Sequence, residues 1–165
     1  MIQRLAPIAA ALAACALASN AHAQATDWQS VATACQPNSL PALQLVQYIA
    51  PGSALRAPLG PNPPLAYTCN TLDSFNGIVP IWNWLRLQYF DPNGGAVTAQ
   101  LFQKDKVTGA IALIATAVST ASGAINTVQA PLPALNYANN AYYIQITMIP
   151  QSTVRVQAHM VTLAQ

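Results

Sequence analysis

Residues Ile81–Val118 read IWNWLRLQYFDPNGGAVTAQLFQKDKVTGAIALIATAV, and this stretch decides the fold. It contains three β-prone runs, at Ile81–Phe90, Ala96–Gln103 and Ala110–Val118, separated by turn sequences rich in Asp, Pro, Asn and Gly. The third run carries no charge, which favours a buried strand, and it is far too short to span a bilayer as a helix. The pattern predicts three consecutive strands, of which the last two form a hairpin.

Short β-prone runs separated by turn residues also make up the chain before and after this stretch. After residue 27 we find no helical periodicity of useful length, so the crossovers that a parallel sheet needs are not predicted. Residues 51–64 contain five prolines, which favours a loop or an edge segment. The further predicted strands are Gln29–Cys35, Leu43–Ile49, Leu65–Thr71, Ala124–Gln129, Ala141–Ile149 and Thr153–Leu163. About nine strands with short loops predict an all-β fold, a two-layer antiparallel β-sandwich for which jelly-roll connections are one arrangement.

The composition excludes several classes of protein. The chain has 165 residues, the size of one domain, and only 6% of them are charged, whereas about 25% is usual. Hydrophobic residues make up 53%, which excludes intrinsic disorder. Six Lys and Arg residues are too few for the basic patch of a nucleic-acid-binding protein. A surface with so few charges is weakly solvated, so we expect a tendency to self-association.

The first 23 residues have the layout of a secretory signal peptide. Arg4 gives a positive start, Leu5–Ser19 is an apolar run, and Ala21–Ala23 supplies small residues for signal peptidase. The run is shorter than the ~18 residues that a membrane-spanning helix needs, so the mature chain has no predicted transmembrane segment. We therefore expect one secreted or periplasmic domain over residues 24–165.

Two alternatives to this leader stay open. Leu12–Cys15 (LAAC) resembles the lipobox of bacterial lipoproteins, in which an acyl chain on Cys15 would anchor the protein to a membrane. The apolar run is also compatible with a buried N-terminal helix.

Cleavage after Ala23 leaves two cysteines, Cys35 and Cys69. An even number of cysteines in an exported chain predicts a disulfide between them, and two free buried thiols are the alternative. No CxxC motif is present and His159 is the one histidine of the mature chain, so we expect neither zinc nor another cofactor.

Residues for bond-breaking chemistry are sparse. The chain has no Gly-x-Ser-x-Gly motif to supply a serine nucleophile for which His159 could act as the base. Alternation along the last strand also predicts that His159 faces solvent, together with Val161. Asp27, Asp73, Asp91 and Asp105 could include a carboxylate pair for glycoside cleavage, but the last three stand in turn sequences where Asp caps its own backbone. The turn that begins at Asp91 resembles the start of a calcium loop, yet the later acidic ligands are missing. A hydrolase that uses His159 or an Asp pair is therefore an alternative hypothesis.

An aromatic row on the central strand is the candidate binding site. Trp82, Trp84 and Arg86 recur at every second position and share one face, whereas Leu85, Leu87 and Tyr89 on the other face are expected to enter the core. Two exposed indoles beside an arginine would bind a glycan or a partner chain, and the alternative is that both indoles pack at the edge of the core. By the same alternation, one of Tyr142 and Tyr143 is expected in the core and the other outside.

The segment Leu85–Thr116 resembles a loose group of exported bacterial proteins of unknown function. The shared motifs are Tyr-x-Asp-Pro-x-Gly, Val-x-Ala-x-Leu and Asp-Lys-x-Thr-Gly, which begin here at Tyr89, Val97 and Asp105. The resemblance implies export and a β-sandwich, but it implies no activity and no catalytic residues.

These observations predict an exported, non-enzymatic protein with a binding or structural role at the cell envelope or outside the cell. Its expected partner is a glycan or a protein at the cell surface. A subunit of a surface homopolymer is a further alternative, suggested by the low charge.

Overall fold

The structure, a computed structural model, describes residues 27–49, 54–72 and 79–165. The predicted signal peptide, the alternative lipidation site at Cys15 and the turn residue Asp73 lie outside the described residues.

Within these ranges the chain forms eleven strands, one short α-helix and a 3-10 turn. The strands are β1 (Trp28–Val31), β2 (Gln36–Pro37), β3 (Gln47–Ile49), β4 (Ala54–Arg56), β5 (Leu65–Asn70), β6 (Trp84–Asp91), β7 (Val97–Asp105), β8 (Ile111–Val118), β9 (Ser122–Pro131), β10 (Asn140–Met148) and β11 (Gln157–Ala164). The 3-10 turn spans Ala32–Ala34, and the helix α1 spans Leu40–Leu45.

The strands form two antiparallel sheets, which confirms the predicted all-β two-layer sandwich. In the first sheet the order is β3-β4-β11-β6-β9, with β1 also paired to β11. In the second sheet the order is β2-β5-β10-β7-β8. Among the eight strands from β4 onward, the first sheet has the order β4-β11-β6-β9 and the second has the order β5-β10-β7-β8. Successive strands therefore alternate between the two sheets, except that β7 and β8 form a hairpin within the second sheet. These are the connections of a jelly roll.

The core lies between the sheets because strict alternation turns every second side chain inward. Along β6, Leu85, Leu87 and Tyr89 are fully buried, as predicted, while the residues between them stay partly exposed. Leu101 and Ile144 of the second sheet are also fully buried and belong to the same core. Burial of each leucine or isoleucine stabilises the fold by about 1.5–3 kcal/mol.

The segment before β3 differs from the prediction. A strand over Leu43–Ile49 is wrong for its first half, where the chain forms α1 instead. Ser39 caps this helix by accepting a hydrogen bond from the backbone N–H of Ala42, and Pro41 lies in its first turn. A helix of six residues is too short to show helical periodicity in the sequence. No helix in the described part of the chain is long and apolar enough to cross a membrane.

The last strand contains a β-bulge that simple alternation did not predict. The pairing of β11 with β6 shifts between Ala158 and Met160, so His159 is the extra residue. Every residue after a bulge changes face, and Val161 is therefore fully buried instead of exposed.

Candidate functional site

The predicted row of two exposed indoles is not formed, because β6 begins only at Trp84. Trp82 precedes the strand and is 3% exposed. Its ring packs edge to face on Tyr137, with 6.1 Å between the ring centroids, and Tyr137 packs in turn on Tyr142. The hypothesis that Trp82 and Trp84 share an exposed face is therefore wrong for Trp82, and the alternative, that the indole packs at the edge of the core, is confirmed for this residue.

Trp84 and Arg86 do share the outer face of the first sheet, and both are half-buried. The Arg86 guanidinium already has partners. Its Nε donates to Gln129 Oε1 at 3.2 Å, and its Nη1 lies 4.0 Å from Asp27 Oδ2. These contacts connect Arg86 to β9 and to the residue that precedes β1, which leaves its charge less available to a ligand.

The predicted calcium-like turn uses its carboxylate to hold the fold. Asp91 is fully buried; its Oδ1 accepts from the backbone N–H of Gly94 at 3.0 Å, and its Oδ2 from that of Ala96 at 2.9 Å. The Ser119 hydroxyl donates to the same Oδ2 at 2.6 Å, which links the turn to the end of β8. Gly94 has a φ of +78°, and a Cβ there would lie 2.7 Å from the backbone nitrogen of Ala121. Asp91 is therefore a structural residue of this turn.

The other candidate acids and bases of the described chain are not assembled into a site. Asp105 accepts hydrogen bonds from the backbone N–H groups of Val107 and Thr108 and from the Thr108 hydroxyl, and these bonds lower the pKa of its carboxyl. It thus closes the predicted β7–β8 hairpin. His159 is half-buried at the bulge, and its Nε2 has no hydrogen-bond partner among the described residues. Within the same residues, no three His, Cys, Asp or Glu side chains cluster in a way that could hold a metal.

Burial of His159 makes the stability of the protein depend on pH. Desolvation lowers the pKa of its imidazole in the folded state below the ordinary value of 6.5, so the folded chain holds this proton less tightly than the unfolded chain. We expect stability to fall as the pH drops below 6.5 and the loss to end at the lowered pKa. Urea unfolding above and below pH 6.5 should show a smaller loss for His159→Gln than for the unchanged chain, and equal losses would contradict this assignment.

A groove that the sequence did not predict lies on the outer face of the second sheet. Its volume is about 490 Å³. We call it the sheet-face groove, and its walls come from the loop after β2 and from β5, β7, β8 and β10. The groove is lined by Asn38, Thr68, Asn70, Lys104, Ile111, Ala141, Tyr142, Tyr143 and Gln145.

Tyr143 is the aromatic wall of the sheet-face groove. It faces outward while Tyr142 is buried, as alternation predicted. Tyr143 pairs across the strands with Phe102, and the two rings stack with centroids 5.3 Å apart and planes 13° apart. Tyr143 lines the groove, and Phe102 covers one face of its ring. This stacking contact supports the Tyr143 ring from one side.

Amide and hydroxyl groups line the other side of the groove. Asn70 lies directly opposite Tyr143 in the β5–β10 ladder, and Thr68 lies opposite Gln145. The Thr68 hydroxyl donates to Asn38 Oδ1 at 2.6 Å, so the Asn38 amide nitrogen remains available as a donor. This set can donate to and accept from the hydroxyl groups of a ligand.

The disulfide positions one edge of this groove. Cys35 and Cys69 are bonded, with their Cα atoms 4.5 Å apart, which confirms the predicted pairing. Cys69 lies within β5, and the bond holds β2 against that strand, where the backbone N–H of Asn38 donates to Ala66 O at 2.8 Å. Asn38 is therefore fixed beside Thr68.

No protein-family model matches the chain, and no curated protein sequence matches it. Two solved structures share its fold at low sequence identity. CsCBM6-3 from Clostridium stercorarium, solved in complex with cellobiose, superposes with a TM-score of 0.53 at 12% identity, over 84% of this chain and 93% of that one. A family 6 carbohydrate-binding module, studied for its binding sub-sites, gives 0.54 at 13% identity over the same shares of the two chains. The β-sandwich of this protein is therefore similar to that of carbohydrate-binding modules.

Proposed function

We propose that this protein is an exported, non-enzymatic glycan-binding module that binds sugars in the sheet-face groove. The observation that carries the proposal is the Tyr143 ring, braced on one side by Phe102 and open to a groove lined with amides and hydroxyls. The faces of a pyranose ring are rich in C–H groups and pack on aromatic rings, while its hydroxyls need donors and acceptors around the edge. Asn38, Asn70 and Gln145 are placed to supply them.

Three further observations support this function. The fold is similar to that of carbohydrate-binding modules, although at these identities the likeness concerns the fold alone. Asp27, Asp91 and Asp105 are engaged in structural contacts, which argues against their use in bond cleavage. The Cys35–Cys69 disulfide is typical of proteins in oxidising compartments, which agrees with the predicted signal peptide.

Replacement of Tyr143 by alanine tests the proposal. A glycan array identifies the sugars that the unchanged protein binds, and calorimetry then measures their affinities. Tyr143→Ala should lower the affinity for each of these sugars by about tenfold or more, because the stacking surface is lost. Tyr143→Phe keeps the ring and should retain most of the affinity.

Trp84→Ala is the matched control, since it removes a partly exposed aromatic ring from the opposite sheet. It should leave the affinity unchanged, and thermal unfolding checks that each variant is folded. Loss of binding in Trp84→Ala with full binding in Tyr143→Ala would move the site to the first sheet and overturn the proposal. Failure of the unchanged protein to bind any glycan would overturn it as well.

A further inference from the structure

The sheet-face groove carries positive charge and no negative charge. Lys104 is the charged residue among those that line the groove, and no acidic side chain lines it. The whole chain contains four acidic residues, all of them Asp. The other polar side chains that line the groove are neutral, so Lys104 gives the groove a positive charge.

The Lys104 ammonium is free, unlike most basic side chains of the described ranges. Lys106 donates to Tyr137 O at 2.7 Å, Arg155 donates to Gln47 Oε1 at 2.8 Å, and Arg86 has the partners given above. No hydrogen bond or ion pair within the described part of the chain involves Lys104 Nζ. The carboxylate of the neighbouring residue Asp105 accepts hydrogen bonds from Val107 and Thr108 within its own turn.

The sheet register places Lys104 one pair along the β7–β10 ladder from the aromatic wall. Lys104 follows Phe102 by two residues on the same face of β7, and its cross-strand partner on β10 is Ala141. Lys104 is therefore the diagonal neighbour of Tyr143, a separation of roughly 7–8 Å between backbone positions. The Cε atom of Lys104 lies 3.9 Å from the position that a Cβ would take at Gly109, so the side chain lies towards the β7–β8 turn. Lys104 and Ala141 both line the groove, and rotation of the flexible lysine over the small Ala141 side chain brings the ammonium towards a sugar on Tyr143.

We infer that the sheet-face groove prefers an acidic glycan, whose carboxylate or sulfate group pairs with Lys104 Nζ while its sugar ring stacks on Tyr143. This inference rests on the proposed function, because it assigns the class of sugar bound in the same groove. A sugar anion beside a free ammonium gains a charge-assisted hydrogen bond, which a neutral sugar does not form. Because Lys104 is exposed, solvent screens the pair, and the gain in affinity is about threefold to fivefold.

The test compares oligogalacturonate with its neutral methyl ester by calorimetry, and a sulfated oligosaccharide distinguishes a sulfate from a carboxylate. We expect the unchanged protein to bind the carboxylated or the sulfated sugar more tightly than the methyl ester. The preference should shrink at high ionic strength and disappear in Lys104→Gln, whose affinity for the ester should stay the same. Arg155→Gln removes the same net charge outside the groove and should keep the preference.

The outcomes separate the two proposals. Equal affinities for acid and ester, or a preference that survives in Lys104→Gln, would overturn the acidic specificity. If Tyr143→Ala still abolishes binding in that case, the glycan-binding function stands without it. If Tyr143→Ala changes no affinity for any of these sugars, the proposed function fails, and the inference fails with it.

Discussion

Replacement of both disulfide cysteines, Cys35→Ser with Cys69→Ser, is expected to lower the free energy of unfolding by about 3.8 kcal/mol. The two residues are separated by 34 positions, and loss of the bond releases a loop of that size in the unfolded chain. Because β2 pairs with the sheet over only two residues, its docking depends on this bond more than that of the longer strands. Chemical unfolding of the variant and of the unchanged protein under oxidising conditions measures the difference.

A reducing agent supplies the control for this prediction. It should destabilise the unchanged protein to the level of the double variant and have no effect on the variant itself. Since the bond also fixes Asn38 beside Thr68, the folded variant should bind glycans more weakly. A variant as stable as the unchanged protein would show that the loop closed by the bond contributes nothing to stability.

Asp91→Asn is expected to destabilise the protein by about 3 kcal/mol, because buried donors lose a charged acceptor. An amide would direct N–H groups at one of the donors that now bond the carboxylate, which come from Gly94, Ala96 and Ser119. The turn has little room to adjust, since Gly94 already lies against the backbone of Ala121. Urea unfolding at neutral pH measures the loss.

Asp105→Asn is the matched control for Asp91→Asn. Asp105 also accepts three hydrogen bonds in a turn, but these bonds are exposed to solvent, so water can replace them and the loss should be much smaller. Ser119→Ala removes one of the three donors to Asp91 and should give an intermediate loss if Asp91→Asn fails to fold. Equal losses in the two Asp variants would show that burial of Asp91 is not what makes it important.

Local patterns in the sequence were sufficient to predict much of the fold. Alternation over β6 predicted that Leu85, Leu87 and Tyr89 enter the core, and the turn residues between 91 and 95 and between 104 and 109 marked two strand ends. These predictions succeeded because the period of a strand and the chemistry of a turn depend on residues next to one another. The predicted signal peptide, the self-association and the resemblance to exported proteins stay predictions.

The binding-site prediction failed in part because alternation alone cannot locate the first residue of a strand. Trp82 and Trp84 have the spacing of one face, but the strand begins only at Trp84, and Trp82 packs in the core beside Tyr137. The bulge at His159 had the same effect on the last strand, where one extra residue moved Val161 inward.

The sequence by itself was enough to predict a β-sandwich and the pairing of Cys35 with Cys69, because the hydrophobic alternation is local and the predicted cleavage after Ala23 leaves two of the three cysteines. Only the tertiary structure decided that Tyr143 meets Phe102, that Asn38 meets Thr68 and that Lys104 lines the same groove as the diagonal neighbour of Tyr143. The physical reason is that each of these contacts joins different strands. Strand order and register fix such contacts, and both are set by the packing of the whole sandwich.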